Sequence, residues 1–347
     1  MTVPHPTGRA LVVRLDSMGD VLLAGPAVRA VATHVRRVTV LTGPHGEAAA
    51  RLLPGVDEIL VWRSPWVVMN PPPVRRAEVL ALTDRLAVRR YDQALILTSF
   101  HQSPLPTALV LRLAGIRRIA AISVDYPGSL LDLRHHVDED LPEAERGLSL
   151  AAAAGFPLPA GDDGRLSVRG PLPEVGHLTG ARPYAVVHPG ASAPARQWPA
   201  HRSAEAVTEL TRRGLRVVVT GGRSERALTA RVAGDAGHDL GGRTTIAELA
   251  GVLAGAAAVV VGNTGPAHLA AAVGTPVVSL FAPVVPAARW APYGVPHVLL
   301  GDQEAGCRDT RARVCPLRGH PCLAAVTGTE AADAVEKLTA EVSPCES

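Results

Sequence analysis

Lysine is almost absent from this chain of 347 residues: Lys337 is the single lysine among 35 basic side chains, and the rest are arginines. Acidic side chains number 32, so the formal net charge is only +3. A charge this close to zero argues against a protein that binds nucleic acid or a membrane surface by general electrostatic attraction. Chemistry that usually relies on lysine is expected to use arginine here or to be absent.

Secretion and membrane-spanning signals are lacking as well. The N-terminus has no apolar segment followed by a small-residue cleavage site. One uncharged stretch, residues 269–288, is long enough to span a bilayer, but Gly274 and three prolines interrupt it. The four cysteines all lie between residue 307 and the C-terminus, which does not suit a disulfide framework for the whole fold. We therefore expect a soluble, cytoplasmic protein.

Several common cofactor and metal motifs are also missing. The chain contains no GxGxxG fingerprint, which disfavours an NAD(P)-dependent oxidoreductase. It contains neither HExxH nor paired CxxC motifs. Cys307, Cys315, His320 and Cys322 lie close in sequence, but their spacing differs from that of a zinc ribbon or knuckle. The sequence therefore predicts no metal site and no cofactor.

What the chain does contain is an alternation of short β-branched runs with Ala- and Leu-rich helical patterns. Val38–Leu41 and Tyr184–His188 are examples of such runs, one in each half. Strands that alternate with helices predict parallel sheets covered on both faces. We predict four parts: a Rossmann-like domain over residues 1–170, a Pro- and Gly-rich linker over 171–183, a second Rossmann-like domain over 184–325, and a helical segment over 326–347 that packs back on the first domain.

Ligands of such sheets bind beyond the carboxyl ends of the strands, so the loops that follow strands are the candidate sites. The loop DSMGD follows the first predicted strand and ends at Asp20. This carboxylate is suited to act as a general base that takes a proton from a hydroxyl nucleophile. An equally simple explanation is a helix N-cap, where aspartate is favoured.

Three loops of the second half of the chain are suited to bind an anion. HPGASAPARQWP contains Arg196, whose planar guanidinium matches phosphate oxygens. TGGRSE offers backbone amides at two glycines and Glu225 as an acceptor for ribose hydroxyls. NTGPAH places amides, a hydroxyl and His268 at a helix N-terminus. Each loop also has a plainer explanation: a surface arginine, a simple turn, and a tight turn beside a core histidine.

Taken in order, these segments resemble the bacterial heptosyltransferases of glycosyltransferase family 9. RLDSMGDVLLAGPAVRAV, HPGASAPARQWP, VVVTGGRSE and VVVGNTGPAHLAAAVGTPVVSLF carry the resemblance, which spans Ala10 to Cys322. It implies an α/β protein with the GT-B fold, in which two Rossmann-like domains face each other across a cleft. It also implies an inverting, metal-independent sugar transfer from a nucleotide-sugar donor. In the best-known members the donor is ADP-L-glycero-D-manno-heptose and the acceptor is the lipopolysaccharide inner core.

The resemblance also implies a role for each residue that matches the family's motifs. Asp20 matches the proposed catalytic base, and Asn263 matches a position in contact with the sugar. Asn263 stands where some members carry aspartate, and Arg196 stands where lysine is usual. The remaining residues fall into three groups: Ser17 and Gly19 on the acceptor side; Ser192, Arg196, Thr264, Gly265 and His268 at the donor diphosphate; Gly221, Gly222, Glu225, Thr245 and Ile246 at the nucleoside.

The implied partners are an ADP-linked sugar donor and an acceptor that is a lipopolysaccharide core-like glycan, another cell-surface glycan or a small metabolite. We expect a monomer without nucleic-acid partners and with at most peripheral membrane association. Two alternatives stay open on the same architecture: a nucleotide-sugar epimerase and a non-catalytic nucleotide-sugar-binding protein. An epimerase converts the donor alone, whereas a transferase needs an acceptor.

Overall fold

The computed structural model describes residues 8–68, 70–137 and 140–342. The chain divides into two compact units, Met1–Arg169 and Gly170–Ser347. Each unit has its own parallel six-stranded sheet, as expected for two Rossmann-like domains.

The sheet of the first unit has the strand order β3-β2-β1-β4-β5-β6, and every neighbouring pair is parallel. Its strands are β1 (Arg9–Arg14), β2 (Arg37–Thr42), β3 (Glu58–Val61), β4 (Gln93–Ile96), β5 (Arg118–Ile122) and β6 (Leu133–His135). The helices of this unit are α1 (Met18–Leu23), α2 (Gly25–Ala32), α3 (Glu47–Ala50), α4 (Arg76–Ala87), α5 (Leu105–Leu113) and α6 (Glu143–Ala153).

Strand β1 lies at the centre of this sheet. Its residues 10–13 are at most 1% exposed, as expected for a strand whose two faces are both covered. The chain continues from β1 outward through β2 and β3, then returns to β4 on the other side of β1. The connections that follow β1 and β4 therefore run to opposite sides of the sheet, so the point between these two strands is a switch point. Open α/β sheets bind ligands at such a point, beyond the carboxyl ends of the strands.

The second unit repeats this arrangement with the order β12-β11-β10-β7-β8-β9, again with all pairs parallel. Its strands are β7 (Tyr184–His188), β8 (Arg216–Val219), β9 (His238–Asp239), β10 (Val259–Gly262), β11 (Val277–Leu280) and β12 (His297–Leu300). Its helices are α7 (Gly176–Thr179), α8 (Ala200–Arg212), α9 (Arg226–Ala233), α10 (Ile246–Ala254), α11 (Gly265–Ala272), α12 (Ala287–Trp290), α13 (Pro321–Ala324) and α14 (Gly328–Val342).

In this sheet the strand order reverses between β7 and β10. Two short 3-10 turns, Pro194–Arg196 and Arg223–Glu225, follow β7 and β8. Most of the loops selected from the sequence therefore leave the carboxyl edge of the second sheet, at or beside its switch point.

The C-terminal helix α14 packs within the second unit. It packs on α8 and on strands β11 and β12 of the second unit. Ala331, Val335 and Leu338 recur at helical spacing and lie in the core of that unit, at most 2% exposed. The guanidinium of Arg213 at the end of α8 lies 2.8 Å from Asp333 of α14. The apolar stripe of α14 is thus buried within the second unit, and the packing on the first domain expected from the sequence stays a prediction.

The stretch predicted as a linker is partly ordered. It contains the short helix α7, and Val175 just before that helix packs against Gly251 of α10. Within residues 8–68, 70–137 and 140–342, no helix has both the length and the apolar character needed to cross a membrane.

Candidate active site

Asp20 lies in the first turn of α1, three residues after the N-cap Ser17. Its Oδ2 accepts hydrogen bonds from the Ser17 hydroxyl at 2.7 Å and from the Ser17 backbone N–H at 3.3 Å. The cap itself is therefore Ser17, and Asp20 closes the reciprocal part of a capping box. Ser17 is exposed and Gly19 is buried. The loop thus presents a carboxylate whose orientation is fixed at a helix N-terminus.

Arg14 is a residue that the sequence analysis did not select. It ends β1, only 4% of its side chain is exposed, and its guanidinium is surrounded by carboxylates. Nη2 donates to Asp20 Oδ1 at 3.0 Å, Nε lies 2.9 Å from Asp16 Oδ2, and Nη1 donates to Glu143 Oε2 at 3.4 Å. Burial opposes the charge of Arg14, but the three carboxylates outweigh it and raise its pKa.

Asp16 is the most perturbed carboxyl of this cluster. Burial raises its pKa from 3.8 to about 6, although the positive charge of Arg14 acts in the opposite direction. Gln102 in the loop after β4 donates to Asp16 Oδ1 at 2.5 Å. The switch-point loops after β1 and β4 are thereby joined through their side chains.

Glu143 brings a third element into the cluster. It begins α6, 1% of its side chain is exposed, and burial raises its pKa. Its other oxygen lies 3.3 Å from Nε of Arg146. Sequence patterns gave no sign of Glu143, because 129 residues separate it from Arg14. Arg14 itself was detectable as a charge at the end of an apolar strand.

In the second unit, Glu225 lies where the loops after β7 and β8 meet. Its Oε2 accepts the backbone N–H of Gly222 at 2.6 Å. Gly190 and Gly221 approach the same carboxylate so closely that a side chain at Gly190 has no room. The selected residues Gly221, Gly222 and Glu225 therefore form one surface with Gly190, which the sequence analysis did not select.

His188 at the end of β7 has a structural role. Its Nδ1 lies 2.9 Å from the hydroxyl oxygen of Thr220, and burial lowers its pKa. The neutral ring is therefore favoured, and the hydrogen bond ties the ends of β7 and β8 together.

Arg196 ends the 3-10 turn Pro194–Arg196, and Ser192 lies exposed just before it. The backbone carbonyl of Arg196 lies against Gly262, where an added Cβ would be 2.7 Å from the oxygen. Because Gly262 ends β10, the arginine loop lies beside the turn that leads into α11. The loop over residues 189–199 therefore borders both the Glu225 surface and the α11 turn.

The turn after β10 contains the remaining diphosphate candidates. Thr264 is the N-cap of α11, Gly265 begins the helix, and His268 is 5% exposed within its first turns. The Asn263 amide bonds to both sides of the Ala282 backbone: its oxygen accepts the N–H at 3.4 Å and its nitrogen donates to the carbonyl at 3.3 Å. Asn263 thus anchors the loop after β11 from a 4% exposed position.

Thr245 and Ile246 lie at the start of α10. Thr245 is its N-cap and exchanges hydrogen bonds with Glu248 in a capping box. The Gly242 N–H donates to the Gly221 carbonyl at 2.8 Å, which links the approach to α10 with the Glu225 surface. The structure thus brings the nucleoside candidates to neighbouring loops.

No group of three or more His, Cys, Asp or Glu side chains is arranged to hold a metal ion in the part of the chain that the structure describes. Cys307, Cys315 and Cys322 are free thiols.

Comparisons with known proteins identify the family of the chain. Residues 79–320 match the family model described as glycosyltransferase family 9 (heptosyltransferase). Lipopolysaccharide heptosyltransferase 1 of Pseudomonas aeruginosa is 30% identical over an alignment of 326 residues. The match covers 84% of this chain and 83% of that protein.

Solved structures share the fold. The structure of E. coli ADP-heptose lipopolysaccharide heptosyltransferase II superposes with a TM-score of 0.74 at 20% identity, covering 96% of this chain and 99% of that one. The iron-containing, dodecameric glycosyltransferase TibC from enterotoxigenic E. coli superposes with a TM-score of 0.58 at 15% identity, covering 97% of this chain and 77% of that one.

Proposed function

Because the chain belongs to glycosyltransferase family 9, we propose that it transfers heptose from ADP-heptose to an acceptor hydroxyl with inversion at the anomeric carbon. The protein is a glycosyltransferase with two Rossmann-like sheets of the GT-B type. The observation that carries the donor assignment is the meeting of Glu225, the arginine loop and the α11 turn at the carboxyl edge of the second sheet.

The Glu225 surface is suited to the ribose of the donor. A carboxylate accepts hydrogen bonds from vicinal hydroxyls, and the glycines around Glu225 let a nucleoside come close to the backbone. Thr245 and Ile246 at the start of α10 would lie beside the adenine, as the family resemblance implies.

The arginine loop and the α11 turn are suited to the diphosphate. Breaking the glycosidic bond leaves negative charge on the β-phosphate of ADP. Arg196 would stabilise that charge from its 3-10 turn. The Thr264 hydroxyl and the backbone amides at the start of α11 would add preorganised donors at a helix N-terminus.

Asp20 is suited to activate the acceptor. An aspartate carboxylate can accept the proton of an attacking hydroxyl. Arg14 and Ser17 hold its carboxylate in one orientation. We propose that Asp20 is the general base and that the acceptor is a lipopolysaccharide core-like glycan, which is supported by the name of the Pseudomonas relative.

We also propose that transfer requires no divalent metal, because the cationic and helix-terminal donors above can neutralise the leaving diphosphate. The iron of TibC makes this a point to test. The test is an assay with ADP-heptose and a heptose-free inner-core acceptor, in the presence and absence of EDTA. We expect ADP release that depends on the acceptor and persists in EDTA.

The other outcomes separate the alternatives. A changed sugar without acceptor would identify an epimerase, and ADP-heptose binding without turnover would identify a binding protein. Loss of transfer in EDTA that a divalent metal restores would refute the metal-free mechanism.

A further inference from the structure

The turn that carries Arg196 is held by a distant part of the chain. Both backbone polar groups of Ala195, which is 1% exposed, bond to residues more than a hundred positions further along. Its N–H donates to the Arg313 carbonyl at 2.8 Å, and its carbonyl accepts from Nε2 of His320 at 3.0 Å. We name residues 307–322 the tail segment.

The tail segment is itself fixed to the second sheet. Asp309 and Arg311 donate backbone N–H bonds of 2.8 and 2.7 Å to Pro283 and Val284, in the loop after β11. Cys307 and Cys322 at its two ends are at most 1% exposed and belong to the core. The segment is therefore a firm support for any loop that bonds to it.

His320 adopts a backbone conformation that glycine would adopt at lower cost. Its φ is 52°, in the left-handed region, and it caps the short helix α13. What a histidine supplies there and glycine cannot is the ring N–H that bonds to the buried Ala195 carbonyl. A buried carbonyl without such a donor is costly.

On its other side, the turn meets the sheet. The Arg196 carbonyl lies against Gly262 at the end of β10, so the turn is held between β10 and the tail segment. We propose that His320 is a positioning residue that fixes the Arg196 turn for the diphosphate of the donor. This inference rests on the proposed donor site. His320 lies outside that site and connects the tail segment to the Arg196 turn.

The test compares three variants by ADP affinity, turnover and thermal melting. His320→Gly removes the ring and relieves the backbone, so it is expected to fold normally. His320→Gln keeps an N–H donor near the position of Nε2. Arg318→Ala changes an exposed neighbour in the same segment and is the control. We expect about tenfold weaker ADP binding in His320→Gly, wild-type affinity in Arg318→Ala, and substantial recovery in His320→Gln.

A double-variant cycle with Arg196→Ala shows whether the effect passes through Arg196. We expect His320→Gly to weaken ADP binding less than twofold in that background, because the side chain it positions is gone. Equal losses in both backgrounds, or wild-type affinity in His320→Gly, would overturn the proposal.

Hydrogen exchange of the backbone amides of Ala193, Ala195, Arg196 and Gln197 tests the same inference without a nucleotide. Faster exchange in His320→Gly than in His320→Gln is expected, and identical exchange in both would contradict the positioning role. If the wild-type protein binds no ADP but the two variants differ in exchange as expected, the donor assignment fails while the positioning role stands.

Discussion

The guanidinium of Arg14 lies 3.0 Å from the Asp20 carboxylate, inside a cluster where Asp16 and Glu143 compete for the same cation. One positive charge thereby orients the proposed base and compensates two buried acids. Removing this cation leaves Asp16 without its positive partner Arg14 and leaves Glu143 with Arg146 alone, in a site shielded from water.

We therefore expect Arg14→Met to lower the free energy of unfolding by about 3–5 kcal/mol, as is typical when one partner of a buried ion pair is lost. Adding Glu143→Gln should recover part of that loss, since it removes one of the negative charges that Arg14 neutralised. Arg75→Met removes a surface arginine that is 69% exposed and should change stability by less than about 0.5 kcal/mol. Denaturant melts of the four proteins check this, and equal effects at the two arginines would contradict it.

Asp16 predicts a pH dependence of stability. Its pKa is raised to about 6 in the folded protein by burial, whereas an unfolded aspartate titrates near 3.9. Between about pH 4 and 6 the folded state holds a proton that the unfolded state has released, so stability falls as pH rises. Above about pH 6 Asp16 is ionised in both the folded and the unfolded state, and its burial then lowers the free energy of unfolding by an amount on the order of 2–3 kcal/mol.

Asp16→Asn cannot ionise and should lack this dependence. The stability of the wild-type protein relative to the variant is expected to fall between about pH 4 and 6 and to level off from pH 7 upward. Glu143, whose pKa is also raised by burial, is present in both proteins and largely cancels in the comparison. Parallel pH profiles would show that Asp16 is ionised like an ordinary surface acid.

The base assignment predicts a graded response at Asp20 and Ser17. Asp20→Asn keeps the shape of the side chain but cannot take a proton, so turnover should fall by about 10²–10⁴-fold. Ser17→Ala removes only the 2.7 Å hydroxyl bond to that carboxylate and should cost about tenfold or less. ADP affinity is expected to stay unchanged in both. Near-normal turnover of the Asp20→Asn variant would show that Asp20 is not the base.

Continuous apolar runs made the central strands predictable. Tyr184–His188 is a strand over the residues expected from its β-branched pattern, and the predicted run Val38–Leu41 lies within β2. The strands β6, β9 and β12 were not predicted. They lie at the sheet edges and have two to four residues, too few for a period to show in the sequence.

The site was predictable to the extent that it is local in sequence. Glu225 and the glycines of its own loop are neighbours along the chain, so a loop pattern was enough to select them. Arg14 with Glu143, and Ala195 with His320, are joined only by the folded chain. Asn263 was matched to a sugar contact through the family resemblance, and that match stays a prediction. The bonds from both ends of its amide to the Ala282 backbone were not visible in the sequence.

The close approach of Gly190 to Glu225 predicts a steric effect. Gly190→Ala forces the new methyl group against the carboxylate, which must then move away from the ribose position. We expect ADP affinity to fall at least about tenfold. Gly176→Ala in the same unit places its methyl group in open space and should bind ADP like the wild-type protein. Equal ADP affinities by calorimetry would show that Glu225 is not at the nucleotide.

Arg196 stands where the family resemblance implies that lysine is usual, in a chain whose single lysine is Lys337. If a cation at this turn binds the diphosphate, Arg196→Ala should weaken ADP binding roughly tenfold to a hundredfold, as expected for a charge-assisted hydrogen bond. Arg196→Lys keeps the charge but not the two-pronged geometry, so a loss of less than about tenfold is expected. Affinity for adenosine should be the same in all three proteins, because adenosine carries no phosphate. Calorimetric titrations with ADP and adenosine make the comparison, and a parallel loss for both ligands would mean that Arg196 supports the loop without contacting the diphosphate.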